Sequence, residues 1–292
     1  MTCRLPFLAL TLIGAWSLAA DPAKLEVKKL EAGGLAVHRA GQEKPIVVYN
    51  APPDGRPYLH PILAPDGKGL LTEFSPSHHK HQTGIYVGIL KVNGRDYFHN
   101  RDGNYYKRQE DVVVKPGGGA SWVVKYDWLD KDKAPVLTET QSWSLTDAAS
   151  HYVLDLDWSA KAVVDVTAEK YDYGGLFIRM PFTSKSGGEA INSEGKKNGA
   201  AEGQRSKWVD IGMPIEGRED WGHIAVLDHK DNPGHPIVWR VDGQLGVGPA
   251  RSRLGEWKIP KGETARAKYR LVIYTGKTDA DRVESQWKEF TK

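Results

Sequence analysis

Four of the ten histidines fall within 22 residues: His60, His78, His79 and His81. Histidine is the side chain whose ordinary pKa lies closest to neutrality, so a concentration of it can exchange protons or ligate a metal. Their settings are Arg56-Pro57-Tyr58-Leu59-His60-Pro61 and Ser77-His78-His79-Lys80-His81-Gln82-Thr83-Gly84. In an extended segment His79 and His81 point to one side of the chain and His78 to the other. Two imidazoles on one side, with a third from His60 or His99, is how a β-scaffold builds a three-histidine metal site. Kept neutral, the same groups supply an acid and a base for proton transfer at a sugar carbon or hydroxyl. A third reading is a polar loop whose histidines cap backbone groups. Residue types and spacing leave all three open, so metal and cofactor stay unassigned.

Arg179 closes the run Tyr171-Asp172-Tyr173-Gly174-Gly175-Leu176-Phe177-Ile178-Arg179. In a cleft it clamps a carboxylate or polyol; at the surface it pairs with a nearby carboxylate. Glu73 and Glu139 are candidate acid/base partners, but one sequence does not show which carboxylates meet in space. Asp228-His229-Lys230-Asp231-Asn232-Pro233 reads as a turn, with a site role for His229 or Asn232 as the alternative. Of ten tryptophans, most are expected in the core and few on a sugar. No Gly-rich dinucleotide turn, P-loop, Gly-x-Ser-x-Gly elbow or His-Glu-x-x-His occurs, so nucleotide cofactors have no support.

The elements that must position these residues are strands. Tyr152, Leu154, Leu156 and Trp158 alternate with Val153, Asp155 and Asp157, the period of a half-buried strand. Asn93-Gly94 between Ile85–Lys91 and Arg95–Phe98 predicts a hairpin. Similar runs lie at 111–115, 121–128, 137–145, 162–167, 175–181, 223–228, 237–241 and 267–274. Many short strands at near-regular spacing predict a large antiparallel β-sandwich as one domain over 21–292. One helix is expected, Asp279 to Phe290, with Thr278 as its N-cap and Val283, Trp287 and Phe290 on one face. Ser184 to Ser206, glycine-rich and charged, reads as a long loop, either a lid over the site or disordered.

Residues Met1–Ala20 read as a signal peptide: Arg4, an apolar run from Leu5 to Trp16, then small residues. Export, periplasmic or extracellular, is the expectation. Cys3 is the only cysteine, so the processed chain has no disulfide and no thiolate chemistry. No later segment approaches a membrane span. The chain is about 40% hydrophobic and 26% charged with a net charge of +3, a globular composition without the basic stripe of a nucleic-acid binder. A small-molecule or glycan partner is expected instead.

The runs Pro57-Tyr58-Leu59-His60-Pro61, Gly69-Leu70-Leu71-Thr72 and His79-Lys80-His81-Gln82-Thr83-Gly84 resemble an uncharacterised bacterial family labelled "methane oxygenase PmoA". The resemblance continues through Val92-Asn93-Gly94, Tyr173-Gly174-Gly175-Leu176, Asp228 with Asn232-Pro233, Pro236-Ile237-Val238-Trp239 and Tyr269-Arg270-Leu271. It spans about residues 45 to 276. Where that family often carries an Asp before the His-x-His pair and a further histidine after it, this chain has His78 and Gln82. The membrane subunit behind the label crosses the bilayer several times; this chain has no such segment. By fold-level analogy the resemblance implies a carbohydrate-active sandwich of galactose-mutarotase type. In that reading His60, His79 and His81 line the cleft, His79 and His81 exchange protons with a sugar, and Arg179 orients it. A non-catalytic carbohydrate-binding module and a metal-dependent oxygenase are the alternatives.

Overall fold

The computed structural model describes residues 24–116 and 119–292. The expected signal peptide lies outside the described residues. Two antiparallel sheets face each other. One has eight strands in the order Leu25–Lys29, Gly34–Arg39, Val47–Asn50, Tyr58–Ile62, Ile85–Gly88, Gly175–Ile178, Val247–Pro249 and Trp239–Val241. The other has nine: Glu189–Asn192, Trp208–Pro214, Trp221–Asp228, Thr264–Gly276, His151–Ala162, Pro135–Asp147, Ala120–Leu129 and Tyr106–Arg108, with Val113–Lys115 also pairing to Ala120–Leu129. Val166–Ala168 and Trp257–Ile259 form a small sheet beside them. The chain is thus an all-β antiparallel sandwich with one C-terminal helix. Among the described residues no helix is long and apolar enough to cross a membrane.

Alternation produces the core. Along His151–Ala162, residues Tyr152, Leu154, Leu156, Trp158 and Ala160 are buried and their neighbours face outward. One apolar cluster runs through both sheets and includes Trp122, Trp128, Trp143, Trp158 and Trp239, as the expectation of core tryptophans required. Inside it lies a polar network. The Glu139 carboxylate accepts from Trp128 Nε1 at 3.0 Å, Trp158 Nε1 at 2.6 Å and Gln141 Nε2 at 2.9 Å. Burial pushes that carboxyl up while its three N–H donors pull it down. Glu139 is therefore a core residue between the sheets and no partner of the histidines.

Three local expectations are corrected. Ser184–Ser206 is no lid: it contains the edge strand Glu189–Asn192 and a 3-10 turn at Asn198–Ala200, and it buries Ala190, Asn192, Ala201 and Ser206. The Asn192 side chain accepts from Glu194 N and Lys196 N, a turn that ties the glycines down. The helix, Ala280–Phe290, is capped by Asp279 instead of Thr278; Asp279 Oδ1 accepts from Arg282 N at 2.9 Å. The Asn93-Gly94 hairpin is shorter than expected: Val92 and Arg95 exchange backbone hydrogen bonds and Tyr97 N donates to Ile89 O at 3.0 Å, but Arg95–Phe98 forms no strand.

The outer face of the eight-stranded sheet is where the structure departs from a plain sandwich. Register places Tyr58 opposite Tyr86 and Tyr86 opposite Phe177, a row of aromatics pointing away from the core. Two loops, 72–84 and 96–104, fold over this row. The first begins and ends at one point: Gly84 N donates to Glu73 O, Glu73 N to Arg179 O, and Arg179 N to Gly84 O. Gly84 has φ +70°, and a Cβ there would lie 2.2 Å from Leu59 O. Gly94 has φ +79° with open space around it. We expect Gly84→Ala to lower stability by more than about 1 kcal/mol and by more than Gly94→Ala does, read from urea midpoints at unchanged m. Equal losses would show that close approach at Gly84 does not hold the loop.

Candidate functional site

His78, His79 and His81 sit in tight turns, not in an extended segment: His79 N donates to Pro76 O and Gln82 N to His79 O. The turns still bring rings together, with centroids 5.0 Å apart for His78 and His79 and 5.7 Å for His79 and His81. His99 arrives from the other loop and stands 4.5 Å from His81, edge to face. The cleft between the loops is lined by His79, His81, Gln82, His99, Tyr173 and Asp242, with Phe98, Phe177 and Arg240 completing it, and has a volume of about 80 Å3.

A buried arginine fixes this meeting. Arg56 is 2% exposed. Its Nη1 donates to Phe98 O at 2.5 Å and its Nη2 to His81 O at 2.5 Å, while its guanidinium lies 3.6 Å from the centre of the Tyr86 ring. One side chain thus ties both histidine loops to the aromatic row. Phe98 then packs against Tyr86 (5.4 Å), Phe177 (5.3 Å) and Tyr173 (5.0 Å).

His99 is the most fully oriented of the imidazoles. Asp96 caps its own turn by accepting from Phe98 N and His99 N at 2.9 Å each through Oδ1. Its Oδ2 lies 2.6 Å from His99 Nδ1. That contact makes Nδ1 the protonated nitrogen and leaves Nε2 as an acceptor, 3.3 Å from the Tyr173 hydroxyl. Burial pushes the Tyr173 phenol up to about 12, so it remains a donor. His81 differs: burial first, then the neighbouring His99 and Arg56, hold it down at about 3. At neutral pH it is an uncharged imidazole. His79 is also held down, by burial and then by Arg179 and His78. Four buried polar atoms here have no protein partner: Arg56 Nε, His79 Nδ1, Gln82 Oε1 and Tyr86 OH.

Two expected site residues are placed differently. His60 is on the Tyr58–Ile62 strand, its Nδ1 3.0 Å from Thr72 Oγ1 and its ring against Phe74 at 5.6 Å, and it does not line the cleft. Arg179 is fully buried and its fork is committed within the protein. Nη1 donates to Gln244 O, Nη2 to Gln244 Oε1 and to His78 Nε2 at 2.8 Å, and Nε faces Glu73 at 3.4 Å. It anchors the loop and His78, and its full burial keeps the fork from clamping a polyol. The sequence alone singles out neither Asp96 nor Arg56. The spacing of Asp96 and His99, three apart after a hairpin turn, was the available signal for the first. Nothing local signals the second. Among the described residues, no three or more His, Cys, Asp or Glu side chains are arranged to hold a metal ion, so the three-histidine metal site does not fit this geometry.

A family model matches residues 36–288, most of the chain. The chain belongs to the family of unknown function DUF6807. No curated protein matches this DUF6807 chain. Among solved structures it is similar to a protein from Klebsiella pneumoniae assigned as an aldose 1-epimerase, at 10% identity and TM-score 0.45, over 94% of this chain and 89% of that one. It is also similar to an α-galactosidase from Lactobacillus brevis, at 10% identity and TM-score 0.41, over 94% of this chain and 41% of that one. A galactose mutarotase related enzyme from Lactobacillus acidophilus aligns at 8% identity and TM-score 0.36, over 86% and 97% of the two chains. At these scores none of them bears on the chemistry of the DUF6807 cleft.

The pKa pattern sets the response to acid. His60, His79, His81, His151 and His229 are all lowered, each mainly by burial. Each therefore binds a proton more readily unfolded, so the stability they contribute is present above about pH 6.5 and is lost as pH falls toward 3. Glu139 and Asp228, raised by burial, act in the opposite sense. The urea midpoint should fall from pH 7 to pH 5; a rise would show that the two carboxylates outweigh the five histidines. Arg56→Met should lower stability by about 2 kcal/mol or more, because it leaves the Phe98 and His81 carbonyls without their donor. A neutral effect would mean that water replaces the guanidinium.

Proposed function

We propose that this is an exported carbohydrate-active protein that binds or modifies a sugar in the cleft of His79, His81 and His99. A sugar ring has apolar faces and an edge of hydroxyls that both donate and accept. The cleft carries both: Tyr173 gives half-buried aromatic surface packed on the buried Phe98, His99 Nε2 and Asp242 give polar groups at its wall, and His79 Nδ1 and Gln82 Oε1 lie buried and unpartnered beside it. The observation that carries the reading is the Asp96–His99 pair. It presents His99 Nε2 at the cleft wall, beside the Tyr173 hydroxyl, with a carboxylate behind the ring, the arrangement of a general base. In the catalytic form of this reading, His99 Nε2 takes a proton from a sugar hydroxyl or carbon. Neutral His81 and His79 hydrogen-bond the substrate, and Arg179 and His60 act from outside the cleft, through the loops. The oxygenase label is set aside, since the histidines do not converge on a metal position.

The test is a screen of mono- and oligosaccharides for turnover by NMR, on the chain without its leader. His99→Ala and His79→Ala should each lower turnover by about tenfold or more with the fold retained. Unchanged turnover in both variants contradicts the assignment. Saturable sugar binding without turnover, surviving both changes, would instead identify a binding module that holds its ligand on the aromatics.

A further inference from the structure

A second cavity lies on the opposite side of the Gly175–Ile178 strand. Phe177 faces the histidine cleft; its neighbour Leu176 faces inward with Val87 and Ile89. Trp158 and Tyr269 wall the cavity from the other sheet, and Ile237 and Trp257 close its sides. Its enclosed space is about 40 Å3. One water needs roughly 10–15 Å3 by this measure, so the cavity takes a group of about three heavy atoms.

Arg251 and Arg266 stand at this cavity. Most other shielded guanidiniums have a carboxylate partner, Arg39 with Asp147, Arg218 with Asp66 and Asp220, Arg253 with Glu202 and Arg270 with Asp155, and Arg56, which has none, donates to two backbone carbonyls. Arg251 has none among the described residues. Its Nη1 is buried with no hydrogen-bond partner, and its head lies 5.5 Å from the centre of the Trp257 ring. Burial pulls its pKa down, opposed only by the Tyr269 phenol. Asp228 lines the cavity but its oxygens are engaged. Oδ1 accepts from Asn232 Nδ2 at 2.7 Å, and Oδ2 meets His235 Nδ1 at 2.7 Å and Ile237 N at 3.2 Å. A shielded guanidinium without an anion is destabilising, and a carboxylate of the size the cavity admits would complete it.

We propose that this cavity is an anion subsite that takes the carboxylate of a small organic acid, with the acid's flat or apolar body against Trp257. Arg251 donates to the carboxylate and Arg266 adds charge at the mouth. An aromatic acid and a uronic sugar both present this chemistry. Benzoate and glucuronate distinguish them; benzyl alcohol and glucose are the uncharged controls.

The experiment is a titration of the chain without its leader at low salt, followed by tryptophan fluorescence and calorimetry. At least one acid should saturate in the millimolar range or below, its uncharged analogue should not, and Arg251→Gln should weaken binding by about tenfold or more. Trp257→Leu should remove most of the fluorescence change while His79→Ala leaves it intact. If Arg251→Gln does not fold, Arg266→Gln together with the salt dependence decides the point, since an anion site weakens as salt rises. Failure of both acids to saturate, equal binding of the uncharged analogues, or binding unchanged by Arg251→Gln and by salt overturns the proposal.

Discussion

The guanidinium of Arg56 is the contact on which the candidate site depends. It has no carboxylate within ion-pair distance among the described residues; its donors go to the carbonyls of Phe98 and His81, on two separate loops. Each charge-assisted hydrogen bond of this kind contributes roughly 1.5–3 kcal/mol, while burying the charge opposes it by several. The arrangement holds because Tyr86 lies flat beneath the charge and Glu139, across the inter-sheet space, acts on it with opposite sign. Without that tie the His81 and His99 rings have no common anchor.

The sheet beneath supplies the geometry that makes the tie possible. Strict alternation sends Leu59, Ile85, Val87, Leu176 and Ile178 into the core and Tyr58, Tyr86 and Phe177 outward. A row of outward aromatics is exposed apolar surface, and the loops over it remove that surface from water while leaving a polar cleft at their seam. One strand thereby serves two cavities of different character. The outward one offers acceptors on neutral imidazoles; the inward one offers an arginine without an anion.

Local pattern made the sandwich legible, since alternation and turn residues act over a few positions. The strand runs and the final helix follow from them. The helix cap shifted by one residue because Asp279 and Thr278 are both capping types, and only backbone direction chooses between them. The glycines of Ser184–Ser206 concealed a short edge strand whose pairing partner, Trp208–Pro214, lies outside the run. At the site, the concentration of His78, His79 and His81 was visible because it is local. His99 and Asp96 join it through tertiary contacts, and Arg56 does so through carbonyls that carry no sequence signature. His60 and Arg179 were misplaced for a related reason. Strand direction and buried partners such as Gln244 and Glu73 decide what a side chain faces, and neither is written in its neighbours.

The most direct test of the cleft is a long-range 15N–1H spectrum of the histidine rings, recorded while sugars are added. His99 should be in the Nδ1–H form set by Asp96, and a binding sugar should shift its Nε2 resonance saturably together with that of His79 or His81. The His60 resonances should stay in place. A His99 ring in the Nε2–H form, or a bound sugar that moves none of the three cleft histidines, would contradict this role for the cleft.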